Sequence, residues 1–111
     1  MQRDSMTKAK KLKAILRQLV REYAEDGIDP KEINNGYCAD FAFVVWERFG
    51  KDPQLSFKDN GYQCGYGHTW LSYKGRHYDA EAINGVVDPK ELPFSQRIDD
   101  PPETRKVVVT T

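Results

Sequence analysis

The stretch HTWLSYKGRHYDAEA, residues 68–82, decides how the rest of the chain is read. Residues 68–73 and 76–82 are two short runs rich in aromatic side chains, and Lys74-Gly75 between them makes a two-residue hairpin connection. That turn predicts a register with Tyr73 opposite Arg76, Ser72 opposite His77, Trp70 opposite Asp79 and His68 opposite Glu81. Side chains alternate along a strand, so His68, Trp70, Asp79 and Glu81 share one face. Asp79 then lies diagonally across from His68 and Glu81 directly opposite, and either carboxylate can reach the imidazole. A three-residue turn would send Asp79 to the other face, so the choice between Asp79 and Glu81 depends on the turn. His77, facing Ser72 near the turn, is expected to be exposed.

Upstream, the pattern changes from period two to period 3.6. Residues 6–25 carry Leu12, Ile15, Leu16, Leu19 and Tyr23 on one helical stripe. Ser5 or Thr7 can cap its start, and Gly27 with Pro30 stops it. Its outer face is basic, with Lys8, Lys10, Lys11, Lys13, Arg17 and Arg21. A second helix is predicted from Tyr37 or Cys38 to Phe49, with Cys38, Phe41, Ala42, Val45 and Phe49 on one stripe, Asn34 and Asn35 as caps, and Gly50 as the stop. Downstream of it, residues 54–58 read as a short strand and the glycine-dense residues 59–67 as a loop. Gly85 and Pro89 interrupt the pattern, residues 91–103 read as irregular, and the Val-rich residues 106–110 read as a closing strand. The expectation is a single α+β domain over residues 1–111, two N-terminal helices packed on a small, mostly antiparallel sheet.

Composition narrows the function. Of 111 residues, 17 are Lys or Arg and 17 are Asp or Glu, so the formal net charge is zero. That removes the electrostatic basis for broad nucleic-acid or anionic-membrane binding. No apolar run approaches the length of a membrane span, and the N-terminal residues lack a signal-peptide pattern. Two cysteines are too few for a disulfide scaffold, and the expected compartment is a reducing cytoplasm.

Cys38, His68 and an acid at Asp79 or Glu81 form the chemically informative set. A thiol nucleophile needs its thiolate stabilised, a base to take its proton and a group to orient that base. A helix N-terminus serves the first need, because its unpaired amides and dipole favour negative charge. The Cys38 amide would also point toward a developing oxyanion, with Asn34, Asn35 or Gln63 completing the hole. Trp70, beside His68, either fills the core or walls the site. Tyr66, with Tyr62, lies in the preceding loop, as turn chemistry or as the rim of a substrate groove. A metal site is the next competitor. Cys64 and His68 have C-x3-H spacing, with Cys38 and His77 as possible further ligands, but paired CxxC knuckles are missing. No metal is expected. Cys64 is alternatively a second thiol able to pair with Cys38.

The helix-initial cysteine in NNGYCADFAFVVWERFG, followed by GHTWLSY and GRHYDAEA, resembles the cysteine–histidine–aspartate core of papain-like and transglutaminase-like hydrolases. The resemblance covers about residues 34–94, including the tail GVVDPKELPF. It implies a fold in which the cysteine opens a helix, the histidine starts a strand and the acid lies on the next strand. Carried over, Cys38 matches the nucleophile, His68 the base and Asp79 the orienting acid. Glu32 and Ile33 stand where a papain-like peptidase has a glutamine a turn ahead of the cysteine.

Two functions follow as expectations. One is a cysteine-dependent hydrolase or acyl transferase (peptidase, amidase or deamidase) acting on an amide, isopeptide or ester bond in a protein or peptide, without a cofactor. The other is a catalytically idle protein-binding module on the same scaffold, an inhibitor or adaptor such as phages and mobile elements encode.

Overall fold

The computed structural model describes residues 2–59 and 67–99. Gln63, Cys64 and Tyr66, and the strand expected at 106–110, lie outside the described residues. The first helix, α1, runs from Gln2 to Glu25, so Ser5 and Thr7 lie within it rather than at its start. Its stripe packs as expected: Leu12, Leu16 and Leu19 are buried, with Ile15 and Tyr23 against them. The chain leaves α1 through Gly27, whose amide donates to the Ala24 carbonyl while that of Ile28 reaches back to Tyr23. That paired pattern satisfies the last carbonyls of the helix.

Pro30 opens the next element rather than merely ending the last. Asp29 caps a short helix, α2 (Pro30–Glu32): its carboxylate accepts from the Glu32 amide at 2.8 Å, and the Glu32 carboxylate accepts from the Asp29 amide at 3.1 Å. A π-helical turn, Ile33–Tyr37, follows, and then α3, Cys38–Arg48. Asn34 and Asn35 therefore sit inside a helical turn and are not caps. Phe41, Ala42, Val45 and Phe49 are buried as the stripe predicts, and Cys38 at its head stays half-exposed.

Four strands make an antiparallel sheet in chain order: β1 Leu55–Asp59, β2 Thr69–Tyr73, β3 Arg76–Asp79 and β4 Ala82–Val86. The β2–β3 turn is the expected one. Lys74 and Gly75 both have positive φ, at 50° and 81°, which suits a two-residue hairpin. It sets Tyr73 against Arg76 and Ser72 against His77. Leu71 against Tyr78 continues the same register, but β3 ends at Asp79, so the expected pairing of His68 with Glu81 fails. The chain turns at Ala80-Glu81 into β4, pairing Asp79 with Ala82. Glu81 is thus a turn residue and does not lie opposite His68.

Gly85 lies within β4 rather than breaking the chain there. Its φ is +82°, and a Cβ at this position would stand 2.7 Å from Cε2 of the buried Tyr78 ring. Both constraints oppose any larger residue. Gly85→Ala is expected to cost about 1–3 kcal/mol, read as a lower urea midpoint at unchanged slope. A midpoint equal to the parent's would contradict the close approach.

Both faces of the sheet are covered. Leu55, Leu71, Tyr73 and Tyr78 join the α1 and α3 stripes in the main core. Trp70 and Ala82 meet Leu92 on the other side. That second layer overturns the irregular reading of 91–103 over residues 91–99, the rest of that range lying outside the described residues. A 3₁₀ turn, Pro89–Glu91, leads into a helix, α4, Pro93–Asp99. The start signal is Asp88-Pro-Lys-Glu91, the same four residues as at 29–32, again forming a capping box. Among the described residues no helix is long and apolar enough to cross a membrane.

Candidate active site

Helix α3 brings the thiol to the sheet. Tyr37, at φ −118° and ψ 12°, breaks the helical path between the π turn and α3, so the chain re-enters the helix at Cys38. Its Sγ lies 3.4 Å from the amide nitrogen of Thr69, the first residue of β2. Burial pushes the thiol up. The hydrogen bond to His68, the Thr69 amide, the imidazole's charge and the Ala39 amide outweigh that and hold it below its ordinary value. The anion is thus stabilised by two backbone amides and an imidazole together.

His68 immediately precedes β2 and is buried, at 2% exposure. Its Nε2 is 2.9 Å from Oδ2 of Asp79. With Nε2 so engaged, Nδ1 is the ring nitrogen left for the thiol. Burial pulls the imidazole down, but the hydrogen bonds to Asp79 and Cys38, with their charges, raise it above the ordinary histidine value. The ring stacks on Phe94 at 4.4 Å and 22°, and on Trp70 at 5.7 Å and 29°. Trp70 therefore lies beside His68 as the shared face predicts.

Asp79 is held on both oxygens. While Oδ2 faces His68, Oδ1 accepts from the amides of Glu81 at 2.9 Å and Ala82 at 2.8 Å. The tight β3–β4 turn that spoils the long-strand expectation is what aims this carboxylate. Its side chain is 2% exposed. Of the two candidate acids, Asp79 reaches the imidazole.

Glu81 turns elsewhere. Its Oε1 accepts from Asn34 Nδ2 at 2.8 Å and from Arg97 at 2.7 Å, and its Oε2 from Arg97 at 3.0 Å. Burial raises the Glu81 carboxyl, but Arg97 and Asn34 outweigh this and lower it. Asn34 is buried with its amide nitrogen on Glu81, a different partner from the oxyanion expected of it, and Asn35 is exposed. His77 is half-buried rather than exposed, accepting through Nδ1 from the Trp70 indole at 3.0 Å. Burial and Lys58, opposed by Asp88, keep it below the ordinary histidine value, the state that this acceptor role needs.

Sequence reasoning missed Phe94 and Arg97. The signal was present in the Asp-Pro-Lys-Glu start at 88–91, which precedes Leu92, Pro93 and Phe94. The arrangement offers a thiol able to ionise, an imidazole able to receive its proton, and a carboxylate fixing that imidazole. Compared with known proteins, the chain matches no protein-family profile, no curated protein and no solved structure.

Proposed function

We propose that the chain is a small cysteine hydrolase or acyl transferase of the papain-like or transglutaminase-like kind, acting on an amide, isopeptide or ester bond. The observation that carries the reading is the His68–Asp79 hydrogen bond beside a thiol seated on the Thr69 amide, with thiol and imidazole shifted toward the charged pair. The Cys38 thiolate attacks the carbonyl carbon to give a tetrahedral intermediate whose oxygen carries the negative charge, and this collapses to a thioester as the C–N or C–O bond breaks. His68 gives its proton to the leaving amine or alcohol. It then takes a proton from water, or from an acceptor amine, which attacks the thioester and frees Cys38. Asp79 keeps the imidazole oriented throughout. A protein or peptide substrate and a cytoplasmic setting complete the proposal, and no cofactor enters the mechanism.

Hydrolysis needs the thiolate together with the protonated imidazole. The rate therefore rises as pH climbs through the value for the pair's thiol, which is lowered, and falls as pH climbs through that of the imidazole, which is raised. Iodoacetamide labelling followed by site-resolved mass spectrometry between about pH 5 and 9 tests the first limb, with Cys64 as internal comparison. Cys38 is expected to label rapidly near pH 6. Labelling that rises only near the ordinary thiol value of about 8.5 would overturn the proposal.

A second reading has one observation in its favour. Phe43 and Phe57 are 48% and 43% exposed, and each packs on Trp46 at 5.6 Å, which puts aromatic surface on α3 and the edge strand β1. A protein-binding module would use such a surface, and its Cys38 would resist alkylation near neutral pH.

A further inference from the structure

We infer that Glu81 is a positioning residue, a single carboxylate that holds the three chain segments carrying the site in alignment. The inference rests on the reading of Cys38, His68 and Asp79 as a working triad. Asn34, four residues before Cys38, donates to Oε1 of Glu81 from the π turn that leads into α3. The Glu81 amide itself donates to Oδ1 of Asp79, the carboxylate that orients His68. Arg97, three residues beyond Phe94 on α4, grips both Glu81 oxygens, while Phe94 stacks on the His68 ring. The Arg97 guanidinium also stands 5.7 Å over the Phe94 ring, so the side chain that anchors α4 also touches the ring that covers the imidazole. The nucleophile, the acid and the cover over the base thus converge on Glu81.

The geometry is that of a bidentate arginine–carboxylate pair with a third, neutral donor, which fixes direction as well as distance. The Glu81 and Arg97 side chains are 17% and 34% exposed, so the pair is partly shielded from solvent. Glu81 and Arg97 are thus a polar tie between α4 and the β3–β4 turn, and loss of the Glu81 carboxylate also removes the partner of Asn34 in the π turn. Catalytic groups tolerate little displacement: about 1 Å of drift can cost roughly 100-fold in rate.

The test is the pH profile of Cys38 alkylation by iodoacetamide in the full chain, comparing the parent with Glu81→Ala, Glu81→Gln, Arg97→Gln and His68→Gln. Far-UV circular dichroism and urea titration run alongside. Glu81→Ala is expected to slow Cys38 labelling near pH 6 by roughly 10- to 100-fold and to move the reactive limb toward the ordinary thiol value. Glu81→Gln still accepts from Asn34 but offers Arg97 no charge, and should fall between parent and Ala. Arg97→Gln leaves the carboxylate in place at a half-exposed site and gives the answer even if Glu81→Ala does not fold. Unchanged profiles in the folded Glu81 and Arg97 variants, with only a lower urea midpoint, would overturn the inference and leave the cluster a structural tie. Failure of the triad reading looks different. In that case His68→Gln itself leaves the Cys38 profile where it was.

Discussion

His68→Gln is expected to label at Cys38 roughly 100-fold more slowly than the parent near pH 6, with the gap closing as pH rises toward the ordinary thiol value. Glutamine retains an N–H to offer Asp79 but has no nitrogen that titrates, so it removes the proton acceptor while keeping the acid partnered. The magnitude follows from the thiolate fraction. A thiol at its ordinary value of about 8.5 is under about 1% ionised near pH 6, whereas one paired with an imidazolium is largely ionised there. His68→Ala should slow labelling similarly and also lower stability, because it empties a buried site and strips Asp79 of its partner. Rapid labelling of the glutamine variant near pH 6 would mean that the two backbone amides at Thr69 and Ala39 hold the thiolate without the imidazole.

The second large effect separates orientation from charge at Asp79. Asp79→Ala is expected to lose about 3–5 kcal/mol, since His68 loses its buried partner and the Glu81 and Ala82 amides lose their acceptor together. Asp79→Asn should fold far better. Its carbonyl oxygen must serve the two turn amides, which leaves the NH2 group facing His68 Nε2. Nε2 then has to accept, the imidazole proton moves to Nδ1, and Nδ1 can no longer receive a proton from Cys38. Asp79→Asn is therefore expected to keep most of the stability and lose the low-pH reactivity of Cys38. Urea unfolding and the alkylation profile measure the two separately. An asparagine variant as reactive as the parent near pH 6 would show that the amide had turned over and that the turn amides are weaker determinants than their distances suggest.

The reading of residues 71–78 from sequence held because a two-residue turn fixes register over the next few residues, and Lys74-Gly75 allowed few alternatives. It stopped holding at Asp79, where Ala80-Glu81 carries no glycine, proline or asparagine to announce a turn. That turn depends on the Asp79 side chain accepting from the two following amides, a contact that strand alternation does not anticipate. The helical stripes of α1 and α3 were legible because burial follows the 3.6-residue period. The start at Asp29 was hidden by reading Pro30 only as a breaker, and the same reading of Pro89 hid the turn that leads into α4. Proline at the first helical position costs no hydrogen bond, so it announces beginnings as well as ends. The Glu81 contacts join positions 47 and 16 residues apart in the chain, beyond any local pattern.

The strand order β1-β2-β3-β4 has a kinetic consequence. Every pairing joins neighbours in sequence, and closing β2 on β3 and then β4 requires only short loops, the kind of contact that forms early. His68 and Asp79 are 11 residues apart and belong to this local unit. Cys38 lies 31 residues from the Thr69 amide that receives it, so it joins when the helices dock. A partly unfolded chain thus carries a thiol without the Thr69 amide and the imidazole that lower it, and on the proposed reading Cys38 gains its reactivity only once the helices have docked.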